Sequence, residues 1–217
     1  MKRLLGPNPS QEWIDFLDFY KQKVEVKAGQ IILKEGEAME GLFFVVNGKV
    51  KVMHQERGAE HLIRLAGNDS ILGHRGFGLN WQYPVTAIAL VDSELEFLPL
   101  SAFNTIAKTN ANFSCSMMMF FAEELRTTEQ QKQLMPVAQR VAITILLNLE
   151  AFGYEEGSKF LSYSISRKDI ASHAGTTYES VVRTLAGFSK NGIVLLDGKR
   201  VGIEDLSKLK EIANGQA

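Results

Sequence analysis

The chain has 217 residues, of which 45% are hydrophobic and 23% are charged, and these proportions are ordinary for a folded soluble protein. Its formal net charge at pH 7 is −1, so the overall charge gives no indication of a nucleic-acid partner. No apolar run approaches the ~20 residues that span a bilayer, and the N-terminus lacks the apolar stretch of a signal peptide, so we expect a cytoplasmic protein.

Short apolar runs separated by glycines fill residues 24–100. Strands that recur about every 8–12 residues, with turn signals between them, are typical of an all-β sandwich or barrel. The dipeptide Asn47-Gly48 joins two of these runs and predicts a tight hairpin, because both residue types tolerate positive φ. The predicted strands are 31–33, 42–46, 50–53, 61–65, 86–90 and 95–98.

A stretch without glycine or proline runs from residue 111 to residue 134, and Pro136 closes it. Its apolar residues recur at helical spacing, which predicts a single helix of ~36 Å. The first half is apolar on nearly all sides, so one face would pack on the β domain and the other on a second copy of the chain. A core helix of a monomer is the alternative. The residues assigned to this dimer helix are Phe113, Met117, Phe120, Phe121 and Glu124.

The C-terminal part follows the order helix, strand, two helices, hairpin and helix, which is typical of a winged helix-turn-helix. Asp197-Gly198 predicts the hairpin, or wing. Local charge also changes, since residues 166–200 hold 6 Lys/Arg against 3 Asp/Glu, and this basic bias favours nucleic-acid binding. The outer elements of this part are predicted at 137–152 (helix), 160–165 (strand) and 204–213 (helix).

Two short helices between the strand and the wing are placed by their start signals. Ser166-Arg-Lys-Asp169 has the form of a capping box, and Gly175 provides the turn that ends the first helix. Thr176-Thr-Tyr-Glu179 is a second capping box, which opens a helix that runs to about Lys190. The sequence therefore predicts a helix-turn-helix over these residues.

The second of these helices is predicted to enter the major groove with its N-terminal residues against the bases. Arg183 suits guanine and Glu179 can accept a hydrogen bond from cytosine, so the pair could read G·C base pairs. Two alternatives remain open: Glu179 completes the capping box, or the two residues form a surface ion pair at spacing i, i+4. Lys168 and Lys190 are assigned to phosphates. The predicted DNA contacts are Arg167, Lys168, Thr177, Tyr178, Glu179, Ser180, Arg183 and Lys190.

These regions resemble those of a known family, that of the cyclic-AMP receptor protein and the fumarate–nitrate regulator (CRP/FNR). Gly36-Glu37 followed by residues 42–52 is similar to the family's β-roll signature, and residues 166–185 are similar to its helix-turn-helix. In the family, a Glu and an Arg four residues later contact bases, and those positions are Glu179 and Arg183 here. Tyr178 stands where cyclic-AMP-type members carry an Arg that makes the outermost guanine contact, so the sequence departs from the family pattern at this position.

The resemblance implies an α+β fold with an N-terminal cyclic-nucleotide-binding-type β-roll (jelly roll), a long dimerisation helix and a C-terminal winged helix-turn-helix. The domains would be residues 1–110, an effector-sensing β-roll; 111–136, the dimerisation helix; and 137–217, the DNA-binding domain. The resemblance also implies a homodimer that binds double-stranded DNA at an inverted repeat and recruits RNA polymerase. A ligand-binding module without DNA regulation is the alternative, and the helix-turn-helix argues against it.

The sensor region departs from the family pattern. Cyclic-nucleotide-binding members have a Gly-Glu pair and, about ten residues on, an Arg-Ser pair; here His74 and then Pro84-Val85 take those places. Without that Arg the pocket lacks the fork that pairs with a phosphate, unless Arg75 replaces it. We therefore expect an effector other than cyclic AMP. The candidate effector-pocket residues are Gly73, His74, Arg75, Tyr83, Val85, Thr86, Thr127 and Thr128.

The single cysteine, Cys115, excludes an internal disulfide framework and the iron–sulfur branch of the family, which needs several cysteines. His74 falls near the place where haem-dependent gas sensors of the superfamily put an axial ligand, but one histidine is a weak signal. Another small-molecule effector is the leading expectation, with haem or an empty pocket as alternatives. We expect no enzyme and no metal site, because catalytic groupings and metal-ligand spacings are absent among His54, His61, His74 and His173.

Overall fold

The structure, a computed structural model, describes residues 5, 9–56, 58–78, 80–128 and 135–216. Its contacts divide the chain into two compact units: Met1–Val50 with Gly67–Gln130, and Lys51–Ala66 with Gln131–Ala217. The second unit thus includes a segment from the middle of the chain. Among the described helices, none is long and apolar enough to cross a membrane.

The elements follow one another as strands, then helices, then a small hairpin. In chain order they are α1 (Gln11–Tyr20), β1 (Gln22–Val26), β2 (Ile31–Leu33), β3 (Gly41–Asn47), β4 (Val50–Glu56), β5 (Ala59–Ala66), β6 (Ile71–Leu72), a 3-10 turn (His74–Gly76), β7 (Thr86–Ala89), β8 (Ser93–Pro99), α2 (Leu100–Thr109), α3 (Ala111–Thr128), α4 (Val137–Phe152), α5 (Arg167–Ala174), α6 (Tyr178–Lys190), β9 (Val194–Asp197), β10 (Arg200–Ile203) and α7 (Leu206–Ala213).

Antiparallel pairing builds a sheet of the first unit in the order β1-β8-β3-β6. Leu95 of β8 lies opposite Val24 on one side and Val45 on the other. Leu95 is fully buried while Glu94 and Glu96 on either side of it are not, which is the alternation expected of a strand with one face on the core. In the same unit β2 pairs with β7.

The segment between β3 and β4 does not form the hairpin predicted at Asn47-Gly48. Strand β3 pairs with β8 and β6 instead, and neither residue of the dipeptide has a positive φ. Gly48 is required for a different reason, since an added Cβ would lie 2.3 Å from Ser93 Oγ. The Gly48 N–H donates to Asn68 Oδ1 at 3.0 Å. The dipeptide therefore marks a close approach of chain segments and not a two-residue turn.

Helix α3 buries one face within its own unit. Phe113 is fully buried, and its ring centroid lies 5.6 Å from that of Phe103 in α2. Met117, one turn later, is also buried. Phe113 and Met117 therefore do not belong to the exposed face that the predicted dimer helix requires, which corrects that assignment. The last part of the predicted helix, residues 129–134, lies outside the described residues.

In the second unit α4 packs against α5, α6 and α7. The apolar side of this bundle is formed by side chains spaced three, four or seven residues apart on each helix, as amphipathic helices require. Its fully or almost fully buried members include Val141, Ile145, Ile170, Val181, Leu185 and Leu209. This packing places α5 and α6 as a helix-turn-helix.

Strands β9 and β10 form the wing as a two-stranded antiparallel sheet. Asp197 lies opposite Arg200, so the turn consists of Gly198 and Lys199, and Gly198 has a φ of +55°. The predicted hairpin is confirmed, with the turn one residue later. The strand predicted at 160–165 is wrong, because that segment makes only isolated bridges, which join Phe160 to Gly202 and Leu161 to Tyr154. The fold class predicted from the sequence, a β-roll followed by helices and a winged helix-turn-helix, is confirmed.

Candidate nucleic-acid interface

Helix α5 begins and ends at the residues that the sequence indicated. Ser166 Oγ accepts a hydrogen bond from the Asp169 N–H at 3.1 Å and donates one to Asp169 Oδ2 at 2.7 Å. At the other end Gly175 has a φ of +57°, a left-handed conformation that costs glycine little. The first capping box and the turn are therefore confirmed.

Helix α6 begins one residue later than predicted. Thr177 is its N-cap, since Thr177 Oγ1 accepts the Ser180 N–H at 3.2 Å, and the same hydroxyl donates to Ser180 Oγ at 3.1 Å. The capping box predicted from Thr176 to Glu179 is thus wrong by one residue. Glu179 is exposed, and no ion pair joins it to Arg183, although the structure describes both side chains. Neither alternative role for the Glu179 carboxylate is realised, so this group is available to a partner.

The two sides of α6 differ sharply in exposure. One side, with Val181, Leu185 and Phe188, is buried in the second unit. On the other side Tyr178 is 48% exposed and Val182 43% exposed. Glu179 and Arg183 are exposed on the same first turns. A helix that reads the major groove presents its N-terminal side chains in this way.

The basic residues near this helix fall into two groups. Lys168 and Lys190 are exposed, as phosphate contacts must be. Arg167 is half-buried, and it donates from Nη1 to the Lys199 carbonyl at 3.0 Å and from Nη2 to the Gly198 carbonyl at 3.4 Å. Burial lowers the pKa of Arg167, and the nearby Tyr178 partly offsets this. The structure therefore places Arg167 against the wing turn.

Helix α4 supports the turn between α5 and α6 with two polar side chains. Arg140 Nη1 donates to the carbonyl oxygens of Ala174 and Gly175, which are among those left unpaired at the end of α5. The Thr144 hydroxyl donates to the Arg140 carbonyl at 2.8 Å. Thr144 Oγ1 also lies 2.9 Å from His173 Nδ1, from which it can accept a hydrogen bond. Through these contacts α4 fixes the C-terminal end of α5.

The β4–β5 hairpin makes a second contact with α5, one that the sequence did not predict. Ser172 Oγ accepts the Leu62 N–H at 2.8 Å and donates to the Glu60 carbonyl at 3.0 Å. Lys51 Nζ lies 3.0 Å from Asp169 Oδ1. These pairs are more than 100 residues apart in the chain, so local sequence signals do not indicate them.

The candidate effector-pocket residues of the first unit are largely committed to their own chain. The Tyr83 hydroxyl is buried and donates to the Gly41 carbonyl at 2.9 Å, and burial raises its pKa. Thr86 Oγ1 accepts the Glu35 N–H at 3.0 Å, and Val85 is buried. These side chains therefore serve to hold the fold together.

His74 and Arg75 both face α3. His74 Nε2 lies 3.3 Å from Glu124 Oε2, and Arg75 Nη2 lies 2.7 Å from the same oxygen. The His74 ring is almost completely buried, with its centroid 5.0 Å from that of Phe120 and 6.0 Å from that of Phe121. The Arg75 fork, which could have replaced the missing phosphate ligand, is thus paired with a carboxylate. Of the other candidates, Gly73 precedes this turn with a φ of +85°, and the side chains of Thr127 and Thr128 lie outside the described part of the chain.

An open cleft of about 320 Å³ lies beside this turn. Trp81 in its wall has a φ of +45°, which is a strained conformation for a residue with a large side chain. Arg75 is the one predicted pocket residue among the residues that line it. The described lining consists of Arg75, Gly76, Phe77, Gly78, Asn80, Trp81 and Gln82. No group of three or more His, Cys, Asp or Glu side chains among the described residues is placed to hold a metal ion.

A β-roll joined to a winged helix-turn-helix, with the first turns of α6 exposed, defines a DNA-binding regulator. Residues 23–110 match the family model described as the cyclic nucleotide-binding domain, and residues 139–212 match that described as the Crp-like helix-turn-helix domain. The chain belongs to the CRP/FNR family of DNA-binding transcription regulators.

Similar proteins agree with this assignment. The transcriptional activator protein anr of Pseudomonas aeruginosa is 26% identical over 212 residues, which cover 94% of this chain and 86% of that protein. A CRP-like cAMP-activated global transcriptional regulator of Mycobacterium tuberculosis is 25% identical over 87% of this chain and 86% of its own length. The structure of FixK2 from Bradyrhizobium japonicum has the same fold, with a TM-score of 0.76 and 19% identity over 88% of this chain and 96% of its own.

Proposed function

We propose that this regulator binds an inverted-repeat DNA site as a parallel homodimer, and that its effector is not cyclic AMP. The observation that carries the proposal is the exposed first turns of α6, where the Glu179 carboxylate and the Arg183 guanidinium are both accessible. Glu can accept from cytosine N4 and Arg can pair with guanine O6 and N7. Residues 1–110 would sense the effector, 111–136 would form the dimer helix, and 137–217 would bind DNA.

An apolar stripe on α3 supports the homodimer. Met118, Met119 and Leu125 are each at least 63% exposed. Of these, Met118 and Leu125 form a series with exposed Cys115 and Ala122 at alternating spacings of three and four residues, which is the spacing of a coiled-coil seam, and Met119 lies beside it. This stripe is distinct from the face that carries Phe113 and Met117 and is available to a second copy of α3.

The inverted repeat follows from the symmetry of such a dimer. Two copies of α6 related by a two-fold axis would meet two half-sites of opposite orientation, with centres ~34–36 Å apart. Lys168 and Lys190 would contact phosphates on either side of each half-site. Because the two sequence relatives are named as an activator and as an activated global regulator, we extend the proposal to recruitment of RNA polymerase in the cytoplasm.

The contacts of Arg75 support an effector other than cyclic AMP. A phosphate would have to displace Glu124 from the Arg75 fork, and the usual phosphate-binding Arg and Ser are replaced by Pro84 and Val85. A carboxylate already held at 2.7 Å competes directly with a bound anion. The effector would then be another small molecule. Haem is the less favoured candidate, because His74 is buried between α3 rings and Glu124.

Selection of bound DNA from a random pool tests the main proposal. The full chain is incubated with the pool in three arms: alone, with cyclic AMP, and with a small-molecule cell extract. We expect enrichment of an inverted repeat that cyclic AMP leaves unchanged, and sedimentation at about twice 24.2 kDa. Enrichment of a single unrepeated half-site by a monomer would refute the homodimer, and micromolar binding of cyclic AMP in calorimetry would refute the effector proposal.

A further inference from the structure

Arg167 lies at the first position of α5, but its guanidinium is turned to the wing. Its Nη1 and Nη2 groups donate to the carbonyls of Lys199 and Gly198, the two residues of the wing turn. The guanidinium is a rigid planar fork, so pairing with two successive carbonyls fixes the turn in one orientation. A phosphate ligand would instead keep its fork directed at solvent.

The wing needs such support because it is a two-stranded sheet, and an isolated pair of strands is only marginally stable in water. Its base is held by the preceding segment, where the Leu161 N–H donates to the Val201 carbonyl at 2.9 Å and Ser164 Oγ accepts the Val201 N–H at 2.8 Å. These contacts stop short of the tip. Arg167 supplies the contact at the tip itself.

The two basic side chains of the wing are used differently. Arg200 forms ion pairs with Glu155 and Asp197, and its guanidinium carbon lies 4.3 Å from the centre of the Phe160 ring. Lys199, at the tip, is exposed. The wing therefore presents Lys199 outward while Arg200 is held against its own domain.

We propose that Arg167 is a positioning residue that orients the wing, and that Lys199 makes the phosphate contact that this orientation permits. The proposal reassigns Arg167 from the predicted DNA contacts and adds Lys199 to them. The two hydrogen bonds of Arg167 join the start of α5 to the wing turn through one side chain. Loss of Arg167 would thus move the wing without removing a phosphate ligand of its own.

The salt dependence of DNA binding distinguishes the two roles. Each lost phosphate contact lowers the steepness with which log K falls against log[salt] by about 0.9. We expect Lys199→Gln and Arg167→Gln each to lower it by about 0.9 per protomer. If Arg167 acts through Lys199, the steepness for the double variant is also lower by about 0.9. If Arg167 binds its own phosphate, the steepness for the double variant is lower by about 1.8, and the proposal is overturned.

Lys168 provides the matched control, since it neighbours Arg167 and is exposed as a phosphate ligand should be. Combined with Lys199→Gln, Lys168→Gln should give the additive fall of about 1.8 per protomer. A second readout does not depend on DNA. Amide hydrogen exchange at residues 198–200 should accelerate in Arg167→Gln and remain unchanged in Lys168→Gln. Unchanged exchange in both variants would also overturn the proposal.

Discussion

Lys51 Nζ in β4 lies 3.0 Å from Asp169 Oδ1 in α5, and the two side chains are only 22% and 14% exposed. Asp169 also anchors the start of α5, because its N–H and its carboxylate both bond to Ser166 Oγ. An ion pair shielded from solvent is screened less by salt than a surface pair. A residue from the segment that matches the cyclic nucleotide-binding domain is therefore tied to the first helix of the helix-turn-helix.

The Ser172 hydroxyl should contribute measurably to the stability of this contact. In Ser172→Ala the Leu62 N–H and the Glu60 carbonyl lose their partner, and the cost should be about 1 kcal/mol because both groups are only partly shielded from water. Urea unfolding followed by circular dichroism measures the change. Ser207→Ala, on the exposed side of α7, is the control and should leave the midpoint within error. Equal midpoints for all three proteins would contradict the role assigned to Ser172.

Local signals explain which elements the sequence predicted well. Ser166 and Gly175 act on groups within about four residues, and the helix that they bound is found where predicted. The wing turn at Gly198 is equally local. The shift of the second cap from Thr176 to Thr177 shows the limit, since two adjacent threonines offer the same capping chemistry and the local sequence does not distinguish them.

Elements that depend on distant partners were missed or misassigned. Strand β6 has only two residues and exists through its pairing with β3, and β1 exists through its pairing with β8. Asn47-Gly48 has the composition of a turn, but Gly48 is needed there because the chain approaches Ser93 closely, a residue far along the sequence. Which side of α3 is buried likewise depends on its contact with Phe103 in α2. The periodicity of the sequence does not show which side of the helix makes that contact.

The exposed stripe on α3 gives a direct test of the homodimer. In Met118→Lys, two like charges would meet across the proposed seam, which disfavours association. Sedimentation equilibrium at micromolar concentration should show the mass fall from about twice 24.2 kDa to 24.2 kDa. Lys108→Glu, an exposed change of charge on α2, should remain dimeric. A dimeric Met118→Lys protein would place the interface elsewhere.

Tyr83 should make stability depend on pH in the alkaline range. Burial raises its pKa above the ordinary 10.0, so the folded state retains the phenolic proton at a pH where the unfolded chain has lost it. The stabilisation is fully present below about pH 10 and is lost as the pH rises through the folded-state pKa. The difference in free energy of unfolding between the wild type and Tyr83→Phe should therefore shrink above about pH 10. Tyr20→Phe, at an exposed tyrosine, is the control, and a constant difference for Tyr83→Phe would contradict the prediction.

Arg183 should determine which base is preferred, because it is exposed on the same face of α6 as Glu179 and one turn further along. Arg183→Ala should weaken binding to the selected site by about 1–3 kcal/mol per half-site and relax the preference at one guanine. Binding to random DNA should change little, since most of that affinity comes from phosphate contacts. Fluorescence anisotropy with the selected site, with single-base variants of it and with random duplex measures all three quantities.

Lys190→Gln is the matched control for Arg183→Ala, since Lys190 is exposed at the far end of the same helix and is assigned to a phosphate. It should weaken binding to selected and random DNA by the same factor and lower the steepness of the salt dependence by about 0.9 per protomer. The contrast between the two variants separates base reading from charge. If Arg183→Ala instead lowers affinity for selected and random DNA equally, Arg183 contacts phosphate and the assignment of the base-reading face of α6 is wrong.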